Sequence, residues 1–270
     1  MTSQYSLTDL QRVMERLRDP ATGCPWDIKQ DFNSIVPSTL EECYELAEAI
    51  EQEDFPHVAE ELGDVLFQVI FYSQLGKEKG LFTLDSVIDT LVSKLIRRHP
   101  HVFANDDIDG VVDARVSVED VKQSWESIKE SERKEKSQAG VLADVPVALP
   151  ALPRAQKLQK RAARVGFDWQ SPDEVLDKLE EEVAELRAAL AAGEESAVVD
   201  ELGDVLFTSV NLARQLDRDA ESVLRQASSK FERRFRHMEN MAAVRKENFA
   251  DLSQVEMEAL WRSAKLGDTD

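Results

Sequence analysis

Four carboxylates near the C-terminal end fall in a pattern that could hold a metal ion. Glu182 and Glu185 are three residues apart, as are Glu201 and Asp204. Each pair at i,i+3 lies on one side of a helix, and a short connection would bring the two helices together antiparallel. Four oxygens converging there would repel one another strongly unless a hard cation such as magnesium compensated them. Such an ion would keep open positions for phosphate and water. One such acidic pair in an acidic chain is most simply a solvated helix face. Here the whole arrangement occurs twice. Glu61-Leu62-Gly63-Asp64-Val65-Leu66-Phe67 returns 140 residues later as Glu201-Leu202-Gly203-Asp204-Val205-Leu206-Phe207. The same offset carries Glu42 and Glu45 onto Glu182 and Glu185, so Glu42, Glu45, Glu61 and Asp64 form the first copy of the set. A repeat this long is a duplicated domain.

Gly63 and Gly203 sit inside the repeated string. Glycine in a helix costs roughly 1 kcal/mol against alanine, so its recurrence implies close helix approach or room beside the carboxylates.

Cations recur as well. Lys94-Leu95-Ile96-Arg97-Arg98 matches Lys230-Phe231-Glu232-Arg233-Arg234, and Lys230 and Arg234 share a helix face. They could neutralise phosphate oxygens, arginine bidentately and lysine as a point charge. Trp125 and Lys129 match Trp261 and Lys265. The indole could stack on a nucleobase and the lysine reach a phosphate. Lys178, one turn before Glu182, has Ser38 as its counterpart. His99 and His101 flank a proline and read as structural.

The elements that position these groups are helices. Helical periodicity dominates and strand alternation is nearly absent. Leu7 to Leu17 forms a first stripe, and a loop follows through Pro20, Gly23 and Pro25. Ser38 and Thr39 are expected to cap a helix reaching about Gln52. The next carries Leu62, Val65, Leu66, Val69 and Ile70, and another runs from Leu84 to the stop at His99-Pro100. In the second half, Ser171-Pro172-Asp173-Glu174 starts a helix that Gly193 ends. Val198 to Gln215 is its partner, with Leu202, Leu206, Ser209 and Ala213 as the expected facing stripe. Long and final helices follow over Ala220 to Arg245 and from Ser253. The fold class is therefore all-α, in two tandem helical domains. The expected boundaries are 1–136 and 154–270, joined by a linker over 137–153 that contains several prolines.

Composition narrows the classes. The 270 residues carry a formal net charge of −20, which disfavours nucleic acid and anionic membranes as partners. No apolar run approaches the ~18 residues of a membrane span. Two cysteines, Cys24 and Cys43, without a Cys-x-x-Cys pair, suit a reducing compartment, and a cytoplasmic location is expected. Cys43 is expected as a small core residue.

Several strings resemble the MazG family of nucleoside triphosphate pyrophosphohydrolases, in its two-domain bacterial form. They are Arg18-Asp19-Pro20, Gly23-Cys24-Pro25-Trp26-Asp27, Arg97-Arg98-His99-Pro100-His101-Val102-Phe103 and Val165-Gly166-Phe167-Asp168-Trp169. The resemblance covers essentially the whole chain. It implies an all-α homodimer related to the helical dUTPase-like pyrophosphatases. It implies magnesium-dependent cleavage of ribo- and deoxynucleoside triphosphates between the α- and β-phosphates, yielding monophosphate and pyrophosphate. Glu182, Glu185, Glu201 and Asp204 would hold the metal. Lys178, Lys230, Arg234, Trp261 and Lys265 would contact nucleotide, with Glu182 or Glu185 as base. Both copies keep the acidic set. The second is favoured as catalytic for Lys178 and the Lys230/Arg234 pair. The rival reading from another class is a non-catalytic acidic helical regulator. A helical di-iron protein is disfavoured, because these helices lack the Glu-x-x-His pattern that such sites use.

Overall fold

A computed structural model describes the chain except residues 1–4, 113–115, 119, 122, 123, 126, 129–131, 133–139, 144 and 268–270. Lys129, the expected counterpart of Lys265, falls outside the described residues, as do residues 137–139 and 144 of the expected linker. Every regular element among the described residues is helical. The chain divides into two compact units, Met1–Ser131 and Glu132–Asp270.

The first unit contains α1 (Leu7–Leu17), α2 (Pro25–Lys29), α3 (Val36–Glu51), α4 (Phe55–Glu78) and α5 (Leu84–Arg98). Ser6 and Asp9 close a reciprocal capping box on α1. Short α2 lies where sequence suggested only loop; Pro25 starts it, since proline needs no N–H partner in the first turn. The expected cap of α3 is displaced. Ile35 takes the N-cap position and Pro37 enters the first turn. Thr39 is inside the helix, its hydroxyl donating to Ile35 O at 3.0 Å and meeting Tyr72 Oη at 3.1 Å. The core joins Met14, Ile35, Ile70, Phe71, Leu75 and Leu84, drawn from three of these helices and the turn before α3. Arg18 ties the end of α1 to α4 through two bonds to Glu78, at 2.8 and 2.6 Å. Its other guanidinium nitrogen reaches the carbonyls of Asp27 and Gln30. Such a bidentate pair fixes direction as well as distance. Helix α3 packs along α4, with Thr39 bonded to Tyr72, which is what brings Glu42 and Glu45 towards Glu61.

The second unit contains α6 (Ala151–Ala163), α7 (Pro172–Ala192), α8 (Glu195–Gln215), α9 (Ala220–Val244) and α10 (Gln254–Gly267). Helix α6 begins inside the stretch expected as linker; its prolines, Pro150 at the N-cap and Pro153 in the first turn, suit a helix start as well as a linker. Ser171 accepts from the Glu174 amide to cap α7, and Gly193 ends it at φ +73°, a conformation glycine adopts without a Cβ clash. The short turn folds α8 back along α7. Met238, Ala242, Leu260 and Ala264 form the α9/α10 core, with Trp261 packed against it.

Two expectations about burial fail. Leu202 and Leu206 are 46% and 56% exposed, while Thr208, Val210 and Asn211 are buried. Helix α6 also packs on α8, and Leu152, Ala155 and Leu158 line an open groove with Gly203, Leu206 and Phe207, so this stripe is left partly uncovered; Gln159 of α6 donates to Phe207 O at 2.8 Å. Cys43 is likewise exposed, on the outward face of α3, and both thiols are free. Gly63 and Gly203 are also open: a Cβ at either position would meet nothing within 4 Å, so neither serves close helix approach within its unit.

Candidate active site

In the second unit, one oxygen each from Glu182, Glu201 and Asp204 lie within 4.8 Å of one another. Helix α7 supplies the first and α8 the other two. Glu182 is 5% exposed, Glu201 half-buried and Asp204 exposed. The cluster therefore opens from a buried floor to solvent. Glu185, expected in the same set, is not one of the three. It still feels them: partial desolvation first, then the charge of Glu201, pushes its carboxyl above the usual range, while Lys178 pulls the other way. Lys178 Nζ stands 2.7 Å from Glu181 Oε1 and 2.9 Å from Glu182 Oε1. These hydrogen bonds, to Glu181 first and Glu182 second, hold the ammonium firmly protonated.

The first unit gathers a different three of the repeated set. Oxygens of Glu42, Glu45 and Glu61 lie within 4.8 Å of one another, from α3 and α4. Asp64 is not among the three, but it contributes to the field. Burial, then Asp64, Glu45, Glu61 and Glu41 in that order, push the Glu42 carboxyl upward. Glu61 is 7% exposed, and its Oε2 is buried with no hydrogen-bond partner. A buried carboxylate oxygen with nothing to bond to is costly. In both units the donor set is all oxygen, charged and open on one side, which fits a hard divalent ion such as magnesium.

A family model described as the MazG nucleotide pyrophosphohydrolase domain matches residues 30–103 and again 170–239. Each match spans one of these carboxylate clusters. The chain belongs to the MazG family. The nucleoside triphosphate pyrophosphohydrolase of Escherichia coli K12 is 45% identical over 263 residues, covering 97% of each chain. The Thermotoga maritima protein named nucleoside triphosphate pyrophosphohydrolase/pyrophosphatase MazG is 43% identical over 260 residues, 96% of each chain. Bacillus subtilis YabN, described as uncharacterized, is 42% identical over 263 residues, 97% of this chain and 52% of its own.

Around the second MazG copy the remaining candidates separate into two groups. Arg234 lies over the Trp261 ring with Cζ 5.8 Å from its centroid, and Lys265 Nζ is 5.6 Å from the same centroid. Phe231 packs beside that indole at 5.5 Å. The result is a half-buried aromatic face flanked by two cations, built from α9 and α10. Lys230 is exposed one turn before Arg234 and makes no ion pair with a described residue. In the first copy, His99 Nδ1 is 2.6 Å from Leu95 O, and its ring lies 5.6 Å from both His101 and Trp125. His99 caps α5, and neither histidine belongs to a carboxylate cluster among the described residues.

Sequence reading missed two groups. His57 Nε2 is 2.7 Å from Glu61 Oε1. The signal was available, as an i,i+4 spacing whose counterpart in the second copy is Ala197. Asp168 is held by Arg214 and, at 3.2 Å, by Gln215, which also donates to Trp169 O at 3.0 Å. This lashes the loop before α7 to the end of α8. Nothing local in sequence marks partners some 46 residues apart.

Proposed function

We infer that this protein is a nucleoside triphosphate pyrophosphohydrolase, a hydrolase of the α–β phosphoanhydride that releases pyrophosphate and a nucleoside monophosphate. Near-full-length similarity to proteins of that name supports the activity. The observation that carries the chemistry is the open cluster of Glu182, Glu201 and Asp204, with Lys178 against it.

The residues divide the work. Glu182, Glu201 and Asp204, with Glu185 at their edge, are the ligands for magnesium. When bound, that ion supplies charge neutralisation at the triphosphate and lowers the pKa of coordinated water. Glu182 or Glu185 is the base that orients and deprotonates the attacking water. Lys178, Lys230 and Arg234 stabilise charge on the phosphates and on departing pyrophosphate. Trp261 offers its face to the base, with Lys265 beside it. Glu42, Glu45, Glu61 and Asp64 form the equivalent set of the N-terminal copy. Each half, 1–136 and 154–270 about a linker at 137–153, is a domain in its own right, and the second is the catalytic one.

The protein acts as a cytoplasmic homodimer clearing ribo- and deoxynucleoside triphosphates from the nucleotide pool. Support for the dimer comes from Leu62, Leu66, Val69, Leu202, Leu206 and Phe207. All are 40% or more exposed, in rows along α4 and α8, which is more apolar helix surface than a lone chain usually leaves open. No helix among the described residues is long and apolar enough to cross a membrane. The deciding experiment presents the full chain with magnesium and a panel of nucleoside triphosphates and measures pyrophosphate. Release of orthophosphate instead, or no turnover across the panel, would overturn the assignment.

A further inference from the structure

The two carboxylate clusters are compensated by different groups. In the C-terminal copy a resident ammonium, Lys178, sits 2.9 Å from the buried Glu182. In the N-terminal copy that position is Ser38. Among the described residues, Glu42, Glu45 and Glu61 form no ion pair with lysine or arginine. Their neighbour is His57 instead, one turn before Glu61 on α4 and 2.7 Å from its Oε1. That contact occupies one oxygen of Glu61 and leaves the other, Oε2, buried with no partner at all. Glu182 has no such orphaned atom. The N-terminal copy thus combines three things: oxygens of three carboxylates within 4.8 Å, no lysine or arginine paired with them among the described residues, and a buried acceptor still lacking its bond.

A small divalent cation answers all three at once. Its charge offsets the mutual repulsion, and its coordination sphere takes the orphaned oxygen. A water could bond Oε2 but would leave the repulsion in place. The histidine has the usual place of an outer partner: it holds one oxygen of a ligating carboxylate and so fixes where the other points.

We propose that the N-terminal copy is the tighter of two divalent-cation sites in this chain, filled without nucleotide, and that His57 is the positioning residue that directs Glu61 Oε2 to the ion. The C-terminal copy, where Lys178 already shares the charge of Glu182, binds its cation weakly until a triphosphate brings further oxygens. The two halves of the duplication then differ in kind: one is a standing cation site, the other a site loaded with substrate. The proposal rests on reading the repeated carboxylates as metal ligands.

The test is a Mn2+ titration of the nucleotide-free full chain, with free Mn2+ followed by electron paramagnetic resonance. Two classes of site are expected, separated by about tenfold or more. Glu61→Gln removes the tighter class and Glu182→Gln the weaker. His57→Ala weakens the tighter class by about 10–100-fold, the usual cost of losing an outer partner. His57→Gln, which keeps an N–H donor, recovers most of it. Lys178→Met strengthens the weaker class and leaves the tighter unmoved. A single class, or a tighter class that survives Glu61→Gln or vanishes with Glu182→Gln, overturns the proposal. An unchanged titration in His57→Ala overturns the role of the histidine. Pyrophosphate release by the same wild-type preparation is recorded in parallel. Its absence would refute the hydrolase reading while the Mn2+ classes still decide this one.

Discussion

Replacing Glu201 with glutamine should make the ion-free protein more stable and the enzyme inactive. One oxygen of Glu201 lies within 4.8 Å of oxygens from both Glu182 and Asp204. Two unit charges at that separation repel by about 3.5 kcal/mol at an effective dielectric of ~20, and by about 0.9 kcal/mol in water. Glu201 is half-buried and Asp204 exposed, so its two repulsions lie towards the lower figure. Asp204 can also turn into solvent. Neutralising Glu201 should therefore relieve about 1–3 kcal/mol in total. For a unit of this size, roughly 3 °C accompanies each kcal/mol, so the ion-free Tm should rise by about 3–9 °C. Magnesium should reverse the order. A wild-type site at ten times its Kd gains about 1.4 kcal/mol, and the variant, having lost a ligand, gains less. Pyrophosphate release should fall by at least about 10²-fold, the scale of losing one preorganised electrostatic partner of the transition state. The assay is differential scanning calorimetry with and without magnesium, beside steady-state turnover. A lower ion-free Tm would refute the repulsion argument. Wild-type turnover would remove Glu201 from the site.

Lys230→Ala and Arg234→Ala should each lower kcat/KM by 10-fold or more on the scale of lost phosphate charge stabilisation, while Mn2+ affinity without nucleotide stays at the wild-type value; unchanged kinetics in both would make them surface cations. The fragment from Arg154 to Asp270 should hydrolyse triphosphates alone, and Met1 to Lys136 should not. Turnover confined to the N-terminal fragment, in the same nucleotide panel, would show that the roles of the copies are reversed. For Glu42, burial and four neighbouring carboxylates raise the folded-state pKa. The folded chain then holds this proton to higher pH than the unfolded chain, so stability falls as pH rises from the ordinary carboxylate value through the raised one. Glu42→Gln should accordingly raise the ion-free Tm at pH 7.5 and lose that gain on acidification through the carboxylate range. A gain that persists at low pH would point to packing instead of charge.

Where the fold was legible, one local signal was enough. Ser171 with Glu174 at the start of α7 and Gly193 at φ +73° at its end are written in side-chain chemistry, and both ends fell where expected. The carboxylate pairs were legible for a related reason. Duplication displays them twice, and i,i+3 spacing fixes their faces once the helices are known. What sequence could not show depended on third elements. Leu202 and Leu206 read as a buried stripe, yet both are exposed, and Leu206 lines an open groove against α6, a helix hidden under the prolines of an apparent linker. With α6 in place, Thr208, Val210 and Asn211 are the buried residues. Thr39 looked like a cap, yet Tyr72, 33 residues away, gives its hydroxyl a partner inside the helix. Cys43 carries a core residue's chemistry on an outward face, which only the placement of α4 determines.

The two copies show why a repeated motif does not imply a repeated role. The carboxylates match in type and sequence spacing, but a different three converge in each copy, and what a cluster does depends also on what balances it. An ammonium at 2.9 Å makes the C-terminal set less negative before any ion arrives, and that ammonium can turn to an incoming phosphate. An imidazole at 2.7 Å from Glu61 leaves the N-terminal set to be balanced from outside. Each copy also carries an aromatic face: Trp261 has Arg234 and Lys265 over its ring, and Trp125 packs against His99 at the end of α5. Phosphate charge, base stacking and the carboxylate cluster can all be served by described residues of the second copy. Divergence after duplication lies both in which three carboxylates converge and in the side chains beside them, at Ser38/Lys178 and His57/Ala197. Exchanging those two pairs between the copies should exchange their cation affinities. Mn2+ titration of the double swap, showing the tight class now abolished by Glu182→Gln and spared by Glu61→Gln, is the expected result. If the tight class stays with Glu61, the difference lies in the carboxylate geometry itself and not in its neighbours.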